Sequence, residues 1–338
     1  MRNITKKQYK TGLIGYGYWG PILLRAFHNS GRFKVLKVCD HNKAKLSKVS
    51  NISQEIEICY DHNDIIKDDR IDVVIIATQA RTHYNLVSEA LIHNKNVFVE
   101  KPFVLNPDEA VSLMRLNREK NLMVMVDHTY LFAQHYKKVK EIVESRRLGK
   151  ILHFHSTRSD FGLFQKDTNI VWHLLYHDAY LLLDLFKGNK IKSIKASGFS
   201  HIIDNIEDTA YASICYENGL SAEILVNMLF PIKERKIIVT GDKKILHWDD
   251  TIEDKLKIYS KNAFFNPKSQ TIKYNDDIKF EILKVPQIEA LKTEIDYFFH
   301  CLNENKTPVN NEESAYYVVA LLNSVESAMT KKGVSLVT

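Results

Sequence analysis

The chain has 338 residues, 45% hydrophobic and 26% charged, which suits two globular domains and excludes a disordered chain. Its four cysteines, Cys39, Cys59, Cys215 and Cys301, form no CxxC pair, which argues against structural zinc or a disulfide framework and fits a reducing compartment. The 47 Lys and Arg against 41 Asp and Glu give a scattered +6, so no nucleic-acid partner is expected; with no apolar run near the roughly 20 residues of a membrane span and no signal peptide in MRNITKKQYK, no membrane partner is expected either, and the cytoplasm is the default location.

The first third alternates strand-like and helix-like patterns. Residues 11–14 read as a short strand running into glycines, and 21–28 as a helix with Ile22, Leu23, Ala26 and Phe27 on one side. Strands follow at 33–39, 56–60 and 71–77, the last so apolar that a sheet covered on both faces is implied. A helix at 84–93, a strand at 96–99, an amphipathic helix at 107–120 and a strand at 122–126 continue the series. Strands alternating with helices predict right-handed βαβ units around a parallel sheet, an α/β class.

After about residue 127 the texture changes. A helix at 132–145, an alternating strand at 150–158 and a helix at 172–186 come first. Strand-like segments at 194–200, 210–216, 220–226 and 236–240 follow, punctuated by Asn218-Gly219 and Gly241-Asp242. Strands in succession predict an α+β domain with an open, mostly antiparallel sheet. Helices return at 288–302 and 312–329. Two domains are expected: a dinucleotide-binding domain over 1–127, and a substrate-binding and oligomerisation domain over 128–338.

Gly15-Tyr16-Gly17-Tyr18-Trp19-Gly20 is a GxGxxG run directly after a strand and before a helix. The first glycine permits the tight turn, the second lets a pyrophosphate approach the backbone, and the third allows close helix–strand packing. The helix N-terminus favours the phosphate charge. Asp40 ends the second strand some 20 residues later, where a carboxylate can bind both ribose hydroxyls of NAD and repel the 2′-phosphate of NADP. Lys43 and Lys45 stand nearby, so NADP stays possible. The context predicts a Rossmann domain.

Glu100-Lys101-Pro102 follows the strand at 96–99. Ligands of parallel sheets bind outside the carboxyl ends of the strands, so Lys101 can reach the cleft and polarise a hydroxyl or move a proton. His173 and His177 are four apart on a helix, sharing one face. A histidine there can take a hydroxyl proton as hydride leaves. HExxH is absent and no third ligand is evident, so no metal is expected.

Together these signals resemble the Gfo/Idh/MocA family, the glucose–fructose oxidoreductase and inositol dehydrogenase group. The resemblance runs from GLIGYGYWGP through Ala77-Thr78, Thr82-His83 and EKP to the helix of His177, and includes the tail at 308–315. VDHTYLF (126–132) and GLFQKDTNIVWHLLYHD (162–178) look like the nucleotide-sugar branch, which includes 3-dehydrogenases of UDP-N-acetylglucosamine-type sugars used in surface polysaccharide assembly. The resemblance implies an NAD(P)-dependent sugar dehydrogenase or reductase, with Tyr18, Trp19, Thr78, His83 and Glu100 beside the cofactor and the nicotinamide near Lys101 and His177. It implies Tyr130, Arg158 and Asp178 on the substrate side. It further implies helices on one face of the second sheet and a subunit interface on the other, hence a homodimer or homotetramer. One departure stands out: His173 occupies the position where the family usually carries Asp.

Overall fold

The computed structural model describes residues 8–162, 164, 166, 168–275 and 279–330. Leu163, Gln165 and Asp167 of the stretch at 162–178, and the first seven residues of the N-terminal stretch, lie outside the described residues. By contact the chain divides into two compact units, one running to Phe132 and including Glu289–Ala320, the other comprising Ala133–Ile288 and the residues from Leu321 onward. This differs from the single cut expected near residue 127, because the segment after Glu289 joins the first unit.

The first unit carries β1 (Tyr9–Ile14), β2 (Phe33–Cys39), β3 (Glu57–Cys59), β4 (Val73–Ile76), β5 (Asn96–Val99) and β6 (Val124–Val126). They form one sheet in the order β3-β2-β1-β4-β5-β6, and every pairing is parallel. This is the doubly wound order, reversing beside β1. The helices are α1 (Gly20–Asn29), the short α2 (Lys43–Leu46) and α3 (Asn63–Ile66), α4 (His83–Ile92) and α5 (Pro107–Lys120). Val73, Val74, Ile75 and Ile76 of β4 are all fully buried, as a strand covered on both faces requires. Helix α5 is capped by Asn106, whose side chain accepts from the Asp108 N–H at 2.8 Å, with Pro107 in its first turn.

The late helix α8 (Ala290–Glu304) explains the altered boundary. Phe298 stacks on Phe33 at 5.9 Å between ring centroids and meets Phe98 at 5.5 Å, while Phe27 meets Phe98 at 5.2 Å. Burying such rings contributes on the order of 1.5–3 kcal/mol each. Asn310, after α8, donates to the Val126 carbonyl at 2.6 Å and ties the tail to β6.

The second unit begins with α6 (Gln134–Glu144) and β7 (Ile151–Ser159). Where one α-helix was expected at 172–186, a π-helical turn over Val171–Leu175 runs into α7 (Tyr176–Leu185). Asn169 anchors its start: Oδ1 accepts from the Val171 N–H at 3.1 Å, and Nδ2 donates to Glu207 at 2.9 Å and Glu326 at 2.7 Å. The strands β8 (Ile191–Phe199), β9 (Thr209–Tyr216), β10 (Ser221–Asn227), β11 (Glu234–Gly241), β12 (Ile245–Asp249) and β13 (Leu256–Tyr259) follow. Beyond them come the hairpin β14 (Asn262–Asn266) and β15 (Thr271–Asn275), then β16 (Phe280–Ile282).

The larger sheet has the order β16-β13-β12-β11-β7-β10-β9-β8. It is antiparallel except at β7–β10. Its strands alternate in burial: Phe154, Ala212, Ile214, Ile224 and Val239 are buried. Phe154 packs edge-on against Phe186 just after α7, and Tyr136 of α6 tilts against Trp248, so helices cover this face. The final helix α9 (Glu312–Thr330) contains the division between the units. Among the described residues no helix is long and apolar enough to cross a membrane.

Candidate active site

The glycine run adopts three different local solutions. Gly15 has φ +98°, and a Cβ there would sit 2.5 Å from the Ala77 carbonyl oxygen, so only glycine fits between β1 and β4. A Cβ at Gly20 would sit 2.4 Å from the Gly15 carbonyl oxygen. Gly17 is different: a Cβ would meet no protein atom within 4 Å. The fold does not call for glycine there, whereas close approach of a pyrophosphate does. That observation fits a dinucleotide.

Asp40 is buried at the end of β2. Its Oδ2 accepts from the Tyr16 N–H of the glycine loop and its Oδ1 from the Asn42 N–H, both at 2.8 Å. A carboxylate has about four lone-pair sites, so capacity remains for ribose hydroxyls. Lys45 Nζ lies 4.0 Å from Oδ2, and Lys43 sits over the Tyr60 ring at 4.9 Å. Tyr18 is exposed, and the Trp19 indole donates to Asp127 Oδ2 at 3.1 Å.

Thr78, half-buried after β4, accepts from the Thr82 hydroxyl at 2.7 Å. His83, expected beside the cofactor, is fully buried. Its Nδ1 lies 2.8 Å from the Pro102 carbonyl and its Nε2 3.2 Å from the Thr78 carbonyl. Burial holds its pKa below the usual histidine range. It positions the Thr78 and Lys101-Pro102 loops through their backbones.

Lys101 is half-buried at the end of β5, followed by a cis peptide to Pro102, and its N–H donates to Glu100 Oε2 at 3.1 Å. Glu100, Asp127 and Glu294 are all buried here. The Glu100 and Glu294 side chains both face that of Asp127. Carboxyls packed this closely favour a retained proton. Burial first, then the negative charge of Asp127, pushes both glutamate pKa values well above the ordinary range. Each therefore holds its proton to higher pH than an ordinary glutamate does. Asp127 also accepts from the Thr129 backbone and hydroxyl. Glu294 Oε1 accepts from the His128 N–H at 3.0 Å and from Asn310 at 3.1 Å. Burial pushes the His128 imidazole down to about 3, so it is neutral. Lys101 is the cation acting on this group: its charge lowers the Glu100 and His128 pKa values. Tyr130 stands half-buried in the turn Thr129–Phe132 just beyond.

Asp127, His128 and Glu294 were missed by the sequence reading. Asp127 and His128 ended a recognisable strand, which was the available signal. Glu294 carried none, since one glutamate in an amphipathic helix reads as a solvent-facing residue.

In the second unit, His173 sits in the π turn and His177 in the first turn of α7, both half-buried. His177 Nδ1 lies 3.3 Å from the Tyr180 hydroxyl, which orients the ring. Arg158 and Asp178, expected on the substrate side, instead pair with each other in the interior: Nε to Oδ2 is 2.8 Å and Nη2 to Oδ1 is 3.3 Å. Their side chains are only 7% and 1% exposed, so this two-point pair fastens α7 to β7.

The parallel sheet, the glycine loop and the acid at the end of β2 define a dinucleotide-binding oxidoreductase architecture. Two family profiles match in tandem, "Oxidoreductase family, NAD-binding Rossmann fold" over residues 9–128 and "GFO/IDH/MocA C-terminal domain" over 136–247. The chain belongs to the Gfo/Idh/MocA family of oxidoreductases, with an NAD-binding Rossmann fold.

Among curated proteins, an uncharacterized oxidoreductase, YrbE, of Bacillus subtilis is 24% identical over 228 residues, covering 64% of this chain and 67% of that one. An inositol 2-dehydrogenase of Salmonella paratyphi B is 23% identical over 326 residues, 92% of this chain and 91% of its own. Among solved structures, a UDP-N-acetylglucosamine 3-dehydrogenase from Acidithiobacillus ferrooxidans aligns with a TM-score of 0.80 at 20% identity, covering 95% of this chain and 97% of that one. A levoglucosan dehydrogenase solved with NADH and levoglucosan aligns with a TM-score of 0.84 at 16% identity, covering 98% and 100%. At such identities the structures establish the fold.

Proposed function

We propose that the protein uses NAD to interconvert a secondary alcohol of a sugar and its ketone, and that the sugar is carried on a nucleotide, as in surface polysaccharide assembly. The observation that carries the redox reading is Lys101, whose charge is placed at the carboxyl end of β5 beside buried acids. The resemblance of 126–132 and 162–178 to the nucleotide-sugar branch supports the substrate class. We place the protein in the cytoplasm as a homodimer or homotetramer.

Bound NAD supplies the hydride acceptor. Gly15, Gly17 and Gly20, with the N-terminus of α1, hold the pyrophosphate, and Asp40 holds the adenosine ribose. Asp40 favours NAD, and Lys45 leaves some tolerance for NADP. Lys101 orients the reacting hydroxyl and stabilises the alkoxide as its proton leaves. In the second unit His177 is the candidate proton acceptor, with His173 assisting. Tyr130 contributes to the substrate side. The C–H bond breaks with its electron pair leaving as hydride, and the O–H proton passes to imidazole, so charge and atoms balance.

His173 in place of the family's usual Asp favours a second reading, in which the chain oxidises a free sugar or inositol, or binds NAD(P) as a regulator without turnover. One experiment separates these. The purified protein is offered NAD with nucleotide sugars, free sugars and inositols while the absorbance of reduced cofactor is followed. Turnover confined to nucleotide sugars supports the proposal. Turnover only on free polyols supports the second substrate class. Tight NAD binding with no turnover on any panel member overturns the enzyme reading.

A further inference from the structure

We propose that His153, His155 and Glu223 form a binding site for a divalent transition-metal ion of the zinc type, on the face of the second unit's sheet opposite its helices. Nothing in the redox reading uses these residues. Among the described residues this is the one grouping of three potential ligands whose donor atoms all lie within 4.8 Å of one another.

The placement follows from strand geometry. Residues of β7 alternate, so Phe154, Ser156 and Arg158 point to the buried side and His153, His155 and Thr157 to the other. Strand β10 runs parallel to β7 with Ser221 opposite His153 and Glu223 opposite His155. Two imidazoles two residues apart and a carboxylate on the neighbouring strand therefore converge without a loop having to order.

The orientation of each ring adds an independent argument. His153 Nε2 and His155 Nδ1 both lie 3.9 Å from Glu223 Oε2. The other nitrogen of each ring is engaged by a hydroxyl: His153 Nδ1 with Ser221 Oγ at 2.8 Å, and His155 Nε2 with Thr157 Oγ1 at 3.2 Å. Ser221 Oγ also lies 3.5 Å from the Leu152 carbonyl, so the hydroxyl that holds the His153 ring is itself tied to the strand. Metal-bound histidines are oriented by the same kind of outer hydrogen bond on the non-ligating nitrogen.

Two imidazoles and one carboxylate suit zinc, cobalt, nickel or copper rather than magnesium or calcium. With bonds of about 2.0–2.2 Å the donors must draw closer together, and the Glu223 side chain, 59% exposed, is free to close. Three protein ligands leave a position for water. An ion here would clamp β7 to β10, the parallel pair in this otherwise antiparallel sheet.

The test uses untagged, full-length protein freed of metal by chelator. Zinc is titrated by calorimetry and cobalt by visible absorption, whose intensity reports four-coordination. Thermal unfolding is followed with and without zinc. We expect one ion per chain, a zinc-dependent rise in Tm, and loss of both in His153→Ala/His155→Ala, whose metal-free Tm stays near the parent value. Ser221→Ala keeps all three ligands and should weaken zinc binding by about 10-fold or more. Equal zinc affinity and stoichiometry in the double variant, or no saturable binding by the parent, overturns the site. These readouts do not involve turnover, so they stand apart from the fate of the redox reading.

Discussion

The two units treat buried charge in opposite ways. In the first, Glu100, Asp127 and Glu294 crowd together, which raises the pKa of both glutamates, with the Lys101 charge beside them. In the second, Arg158 and Asp178 pair in the interior, and the histidines of the π turn and α7 are half-buried. The candidate groups of the first unit stand on backbone turns and strand ends. Those of the second stand on a π turn and the helix that follows it.

The largest effect expected on that contrast comes from Lys101. Lys101→Ala should lower turnover on a confirmed substrate by about 10²–10⁴-fold with NAD affinity nearly unchanged, and His177→Ala should do the same. His173→Ala then grades the second unit: a loss rivalling that of His177→Ala means the imidazole does the work of the family's missing carboxylate. Near-parental turnover in both Lys101→Ala and His177→Ala would show that the reacting groups lie elsewhere.

Next comes the buried pair. Asp178→Ala leaves the Arg158 guanidinium without its carboxylate in the interior, so it should destabilise the chain by about 3–5 kcal/mol. Denaturant unfolding measures this. Unchanged stability with a raised KM would instead return Asp178 to the substrate side.

The contrast also marks what the sequence makes legible. Strands β2 and β5 fall at the expected residues, because each is a short, mainly apolar segment with clear bounds. The glycine loop and Asp40 are equally readable, since backbone geometry dictates residue type there. Strands β12 to β16 were not distinguished: they run only three to five residues each, and β15 and β16 are exposed throughout. Helix α8 was legible as a helix but not as part of the first unit, because Phe298 finds Phe33 across 265 positions of sequence. The same long separation hid the partnership of Asp127 with Glu294. The π turn was hidden because its residues carry an ordinary helical pattern.

A smaller effect sharpens the acid cluster. A carboxyl whose pKa is raised by folding keeps its proton longer in the folded chain than in the unfolded one. The stability it contributes is complete below the unfolded value near 4.5 and is lost as pH rises through the folded value. Glutamine can still donate to Asp127 but has no proton to lose. Glu294→Gln should therefore gain stability relative to the parent as pH rises from 5 to 9, by on the order of 1 kcal/mol. Melting curves of both proteins across that range test it. A gap that moves the other way would mean Glu294 is ionised in the folded state.

The smallest expected change in stability is at Gly17, and it isolates the ligand's demand from the fold's. Alanine at Gly15 must adopt φ +98° and press its Cβ against the Ala77 carbonyl, so Gly15→Ala should cost at least about 1–2 kcal/mol whether or not cofactor is present. Alanine at Gly17 meets no protein atom within 4 Å. Its effect on unfolding without cofactor should stay within about 1 kcal/mol. The methyl group would nevertheless stand where the pyrophosphate must approach, so NAD affinity should fall several-fold, read by the fluorescence of Trp19 in the same loop. The Tm rise that NAD gives the parent should shrink in parallel, since ligand stabilisation follows RT ln(1 + [L]/Kd). If Gly17→Ala binds NAD as tightly as the parent, the pyrophosphate does not pass over this residue. A drop in cofactor-free stability matching that of Gly15→Ala would mean that the glycine serves the fold.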